Sequence, residues 1–443
     1  MEEVEKLTKE VVDEVEKGFS WSKVRRFVRR LGPGLVTGAA DDDPSGIGTY
    51  TQAGAAFGFT LAWMMPFMLP MMIAIQEMAG RIGLVTGKGL ASIIKDHYSR
   101  WFLYFTVFFL VFANTVNIGA DIGAMAASAQ LIIDIPYVWW TLFFTTGIVL
   151  LELIVPYKKY AKILKWLCLS LFAYIVTAFM VNMPWGEVLR NTLVPTFKLE
   201  PAFILAIVAL LGTTISPYLF FWEPSQIVEE QVAHRWRKDI DGAPYVTSHR
   251  VKQFRSDNVA GMFLSQLVAF FILITAAATL HAVGIFNVGS AAEAAKALEP
   301  LVKGFPNAGF VAKLLFALGI IGTGLLAIPI LAGSAAYAVS EALDMREGLS
   351  QKVNRAKGFY GVIAGATLTG LLINFSGIDP IKALYYAAII NGVMAVPLIL
   401  VIVRIGNNSN IMGEYSNSKL SNAVSIFTFL VMLLATLGMI FVK

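Results

Sequence analysis

The sequence predicts an all-α polytopic membrane protein of eleven transmembrane helices, with two inverted five-helix repeats and breaks in helices 1 and 6. Three observations predict it. The 443 residues are 57% hydrophobic and only 15% charged, with a mean hydropathy of +0.67. A soluble domain carries roughly 25% charged residues. Eleven mostly apolar stretches approach or exceed the length that crosses a bilayer, about 20 residues. Two of them, the first and the sixth, are interrupted by a proline among small and polar residues. This composition argues against a cytosolic enzyme, a nucleic-acid binder or a secreted module. One cysteine, Cys168, excludes an intrachain disulfide framework and a cysteine-rich metal cluster.

In chain order the spans are 34–57, 60–82, 101–128, 137–155, 160–181, 201–229, 257–281, 310–339, 358–374, 380–403 and 420–442. The connectors between them carry charges, prolines and the Gly406-Asn407-Asn408 turn signal. Residues 1–30 are charged and amphipathic, without the apolar core of a cleavable signal peptide, and read as a cytosolic arm. The first repeat is expected over 31–182 and the second over 200–404. Helix 11, within 419–443, has no partner in the repeat and reads as a peripheral element or a contact in a homodimer. Orientation follows from the basic residues. With the N-terminus inside, 28 of the 35 Lys and Arg fall in the arm and the inner loops. The sequence thus predicts an inner-membrane protein with a cytosolic N-terminus and an external C-terminus. The net charge of +5 is then explained by anionic inner-leaflet lipid as a partner, without nucleic acid.

Span 1 reads Gly38-Ala-Ala-Asp-Asp-Asp-Pro-Ser-Gly-Ile-Gly48 and span 6 reads Gly212-Thr-Thr-Ile-Ser-Pro-Tyr-Leu-Phe-Phe-Trp-Glu-Pro224. Proline removes a helical hydrogen bond. Free backbone groups at membrane depth persist only where they are buried in protein or line a cavity. The apolar pieces on either side of Asp43 are too short to cross separately. Interrupted helices at corresponding positions of two repeats point to a substrate site at the midplane. A carboxylate with carbonyl and hydroxyl oxygens suits a hard divalent cation.

The ordered motifs Gly32-Pro-Gly34, Asp43-Pro44-Ser45-Gly46, Gln52-Ala-Gly54 and Gly83-Leu-Val-Thr-Gly-Lys88 resemble the opening of the natural resistance-associated macrophage protein (NRAMP) family of divalent-metal transporters. Gly212 to Phe221 resembles that family's sixth helix. The resemblance implies a leucine-transporter-like fold and alternating access. It implies that Asp43 binds metal, with backbone ligands at Ala40 and Thr213. The family's metal-binding Asn is replaced by Gly46, its Met by Ser216 and the following His by Tyr218. Loss of the thioether removes a preference for softer ions. Two shortened side chains widen the cavity, which suits an ion that keeps part of its water shell, as Mg²⁺ does. The pattern resembles the NRAMP-related magnesium transporter branch, with Mn²⁺ also carried and no cofactor.

The family's Asp-x-x-Glu of helix 3 reads Asp121-Ile-Gly-Ala124, and its second helix 6 His falls at Glu223. Both changes argue against proton coupling. Asn114, Asn117 and Asp121 share one helix face, and Asn391 falls near a polar position facing the ion. Glu223, Asp42 and Asp41 read as pathway residues, whereas Glu77 and Glu152 read as groups that satisfy neighbouring helices. Two alternatives stay open. One is a proton-coupled Mn²⁺/Fe²⁺ symporter in which Asp121 and Glu223 replace the lost groups. The other is a carrier of an organic solute on the same fold. An intramembrane protease would need a buried His constellation, which the spans lack.

Overall fold

The computed structural model describes residues 38, 41–155, 168–233, 244, 246–304 and 307–441. The arm over 1–30, the first part of span 5 and the carbonyl expected at Ala40 lie outside them. All the described elements are helical. The long ones are α1 (Pro44–Phe57), α2 (Met64–Thr86), a short amphipathic α3 (Leu90–His97), α4 (Arg100–Gln130) and α5 (Tyr137–Ile154). They continue with α6 (Phe172–Met180), α7 (Trp185–Leu193), α8 (Pro201–Thr214), α9 (Pro217–Ala233) and α10 (Ser248–Thr279). The last four are α11 (Ala308–Ala342), α12 (Lys357–Ile373), α13 (Pro380–Asn407) and α14 (Lys419–Phe441). Counting α8 and α9 as one, eight helices among the described residues are long and apolar enough to cross a membrane. Span 9 corresponds to α12, which is shorter, at 17 residues.

Local chemistry sets the ends of these helices. Asp43 caps α1 by accepting from the Gly46 amide, and Pro44 fills the first helical position, where a missing N–H costs nothing. Ser99 caps α4 through the Phe102 amide, and Asp379 caps α13 through Ile381. α2 stops at Gly87, whose φ of 64° is a left-handed C-cap that a side chain would strain.

Both expected breaks are present. The helical chain is interrupted at Asp42–Asp43 and again at Ile215–Ser216. At the second break Ile215 leaves helical geometry, with ψ of 68°. Pro217 has no N–H to give the Thr213 carbonyl, and the Ser216 hydroxyl donates to that carbonyl instead, at 2.6 Å.

α4 and α11 pack together, as do α1 with α10 and α8 with α13, so the broken helices are enclosed by longer continuous ones. The α8–α13 approach is a backbone contact. A Cβ on Gly212 would overlap Ala388 and Gly392, and one on Gly392 would come within 2.7 Å of the Val208 carbonyl. Only glycine permits that crossing. α14 packs on α13, α8 and α2 and turns Leu430, Leu434 and Ile440 outward. It is peripheral.

The loops gather at two ends. At one, Lys95 meets Asp344 at 2.5 Å, Arg81 reaches Asn417 at 2.8 Å and Gln231 donates to the Leu84 carbonyl. We call this the basic end. At the other, Gln52 accepts from the Val288 amide and Tyr137 donates to Asn374. Trp101 and Trp139 are 85% and 64% exposed, as residues of an interfacial aromatic belt are.

Candidate functional site

The two breaks face each other. Gly46, in the first turn of α1, has no side chain. A Cβ there would lie 3.4 Å from the Thr213 hydroxyl, 3.4 Å from the Asp41 carbonyl oxygen and 3.3 Å from Tyr50 Cε2. The unwound part of span 1 and the end of α8 therefore meet at this glycine. Tyr50 and Thr214 hydroxyls pair across the same junction at 3.2 Å.

Asp43 is 2% exposed, and its carboxylate is held on three sides. Oδ1 accepts from Ser45 Oγ at 2.6 Å and from the Gly46 amide at 2.8 Å. Oδ2 accepts from Asn117 Nδ2 at 2.9 Å. A carboxylate offers about four lone-pair directions, so one remains for a ligand while the other three fix its aim. Asn117 Nδ2 also reaches Asp121 Oδ2 at 3.4 Å, tying the two acids of different helices to one amide. Around them the Thr213 hydroxyl, Asn117 Oδ1, Asp121 Oδ1 and Asn391 Oδ1 are buried with no hydrogen-bond partner among the described residues. Each is an oxygen. The Tyr218 phenol faces Ser216 and lies within electrostatic reach of Asp43, Asp41 and Asp121.

Asp43, Gly46, Thr213, Ser216, Asn117, Asp121 and Tyr218 thus come together. Asn391 sits beside them, one residue before the Gly392 contact with α8. Two details add to the expectation. The Thr213 hydroxyl is an open oxygen, next to a carbonyl that accepts one hydrogen bond from Ser216. Asn114 shares the Asn117 face, and its Nδ2 donates to the Leu331 carbonyl of α11 at 2.9 Å, joining helices, while its Oδ1 has no partner among the described residues. Of the three adjacent acids, Asp41 and Asp42 turn to Ser265 of α10, whereas Asp43 turns to Ser45 and Asn117. Asp41 accepts from Ser265 at 3.0 Å, and Asp42 Oδ1 has no partner among the described residues. Among the described residues no group of three His, Cys, Asp or Glu forms a chelate.

Glu223 is fully buried and lies apart from this group, toward the basic end; its Oε2 accepts from Gln76, the Asn258 amide faces the carboxylate, and Oε1 meets no donor at ordinary hydrogen-bond length among the described residues. Glu77 is satisfied by Arg81 at 3.1 Å and Arg255 at 3.0 Å, as expected of a residue joining helices. Glu152 departs from that expectation: neither carboxylate oxygen meets a partner among the described residues. Sequence reasoning did not single out Ser45, Ser265 or Gln76 as partners of these acids. The available signal was a polar residue inside an apolar span.

Two carboxyl groups and several neutral oxygens, enclosed at two facing helix breaks of a membrane-spanning bundle, form a central polar site of the kind a membrane transporter holds. The model of natural resistance-associated macrophage protein-like chains matches residues 34–442, and the chain belongs to that family. It is 24% identical over 415 residues to the divalent metal cation transporter MntH of Caldanaerobacter subterraneus subsp. tengcongensis, covering 91% of this chain and 90% of that one. Its fold matches the Eremococcus coleocola manganese transporter, crystallised with an aromatic bis-isothiourea substituted compound. The TM-score is 0.71 at 16% identity, over 95% of this chain and 87% of that one. MhsT in complex with L-phenylalanine shares the fold at TM-score 0.60 and 11% identity, over 92% and 97% of the two chains. The leucine-transporter-like architecture is therefore the observed one.

Proposed function

We propose that this chain carries a hard, partly hydrated divalent cation, Mg²⁺ and Mn²⁺, across the cytoplasmic membrane by alternating access and without proton coupling. The metal ion is the substrate, and no cofactor takes part. The observation that carries this reading is the donor set. Asp43 is held rigidly, the open atoms around it are all oxygens, and Gly46 leaves space where a longer side chain would displace water. Hard cations choose oxygen, and Mg²⁺ in particular keeps several waters. The family of divalent metal cation transporters supports the metal; the glycine, the serine and the missing thioether support the choice of ion.

In this reading Asp43 and the Thr213 hydroxyl contact the ion, with Ser216 beside them and a backbone ligand at Ala40 as the family resemblance implies. Asn117, Asp121, Tyr218 and Asn391 orient its water. Asp42 and Glu223 belong to the pathway. His97 and His281 lie at opposite ends of the bundle, with His281 held by the Ala55 carbonyl at 2.7 Å. Neither is placed to shuttle a proton at Asp43. An inward divalent cation gains about 4.6 kcal/mol per 100 mV, twice the unit-charge value, which suffices for uptake. The repeats 31–182 and 200–404 supply the two rocking halves, and the basic end is cytosolic. The L-phenylalanine carrier shares only the architecture, so it does not favour an organic solute.

The test is uptake of Mg²⁺, Mn²⁺ and Ca²⁺ into liposomes, with and without an imposed pH gradient. Asp43→Ala is expected to abolish uptake, and a pH gradient is expected to leave it unchanged. Normal uptake by that variant would overturn the site. Proton influx together with the cation would instead favour the Mn²⁺/Fe²⁺ symporter.

A further inference from the structure

A second polar layer lies between the Asp43 constellation and the basic end. On α10, Ser265 holds Asp41, and Asn258 follows seven residues earlier, about 10 Å along the helix. Between them Gly261 packs backbone to backbone against Gly38 of broken span 1. Asn258 faces Glu223 of α9, with Asp257 within electrostatic reach of it, and Gln76 of α2 donates to Glu223. Gly80, one turn on from Gln76, lets the Phe254 ring of α10 pack against α2 beside the Glu223 carboxyl group.

This layer is incompletely satisfied. Glu223 and Asn258 are each fully buried, the Asn258 amide faces the Glu223 carboxylate, and among the described residues Glu223 Oε1 and Asn258 Oδ1 meet no donor at ordinary hydrogen-bond length. Buried polar atoms are nearly always paired, so two open oxygens at one place point to a missing ligand. The chemistry indicates its sign. The nearby guanidinium groups of Arg81 and Arg255 are bound to Glu77, which leaves the Glu223 carboxylate without an ion pair among the described residues.

We infer that Glu223, Asn258 and Gln76 form a second, weaker cation station, which a partly hydrated divalent ion occupies after leaving Asp43 for the basic end. This rests on the reading of Asp43 as the central site. One carboxylate and two amide oxygens around a water-bearing ion match the way Mg²⁺ is held. Successive weak sites let an ion leave as easily as it enters.

Mn²⁺ binding to the detergent-solubilised full chain, followed by loss of the free-ion paramagnetic resonance signal, tests it. The unaltered protein is expected to show two classes of bound Mn²⁺. Asp43→Ala should lose the tighter class, Glu223→Gln the weaker, and the double variant both. Glu223→Asp keeps a carboxylate and should retain the weaker class, which separates ion binding from misfolding. In liposomes Glu223→Gln should lower the maximum uptake rate by about tenfold with KM changed less than about threefold. A weaker class that persists in Glu223→Gln overturns the second station and leaves Asp43 untouched. A tighter class that persists in Asp43→Ala overturns the central site instead.

Discussion

Gly46→Ala isolates the role of space at the site. The added methyl would sit 3.4 Å from both the Thr213 hydroxyl and the Asp41 carbonyl, which is ordinary contact, and 3.3 Å from Tyr50 Cε2, which asks the ring to give by a few tenths of an ångström. That small strain opposes the gain of about 0.5–1 kcal/mol that alanine brings to a helix. Stability should therefore change by less than about 1 kcal/mol. The cation should be affected more. A methyl placed between Asp41 and Thr213 takes space comparable to one water, about 30 Å³. Mg²⁺ gives up water reluctantly, whereas Mn²⁺ accepts direct oxygen ligands more readily. KM for Mg²⁺ should rise about tenfold, equivalent to about 1.4 kcal/mol, and KM for Mn²⁺ by less than about threefold. Liposome uptake of the two ions, with thermal unfolding as the control for folding, measures both. An equal change for Mg²⁺ and Mn²⁺ in a folded protein would refute the argument that the glycine makes room for water.

Other expectations concern neighbouring parts of the molecule. Gly46→Asn combined with Ser216→Met should shift preference toward Mn²⁺ or Cd²⁺; an unchanged ion profile in competition assays would sink the selectivity argument. Asn117→Leu removes the amide that serves Asp43 and Asp121 together. It should cost about 1.5–3 kcal/mol of stability, the range for a hydrogen bond to a charged group, seen as a lower unfolding midpoint. Glu347, in the loop after α11, is pushed up to about 9 by burial first and by the Glu341 and Glu229 charges next. A raised carboxyl pKa means the unfolded chain ionises first. The folded state is then progressively penalised as pH rises from the ordinary carboxylate range toward 9. Glu347→Gln should raise the unfolding midpoint at pH 8 but hardly at pH 5; the same shift at both would refute burial of the neutral acid.

How far the sequence reaches is visible residue by residue. Pro44 and Pro217 announce both breaks, since the missing N–H is a covalent fact that no packing can restore. Asp43 announces the site because a carboxylate in an apolar span is costly and needs a reason. The family follows from motifs, and the end at which loops gather follows from the basic residues. Partner choice is where the sequence falls silent. Asn114 and Asn117 occupy the same face of α4, yet one joins α11 and the other holds Asp43, because different helices lie opposite successive turns. Glu77 and Glu223 look alike in sequence. Folding sets two arginines beside the first and an amide beside the second. The Ser216 hydroxyl bends back to the Thr213 carbonyl that Pro217 cannot serve, while the Thr213 hydroxyl stays open. Hydropathy and periodicity are properties of one segment, so the sequence alone determined the solvent, most of the long apolar helices and the breaks. Which charges are paired and which stay open for a ligand depends on what faces them across the bundle, and only the tertiary structure decided that.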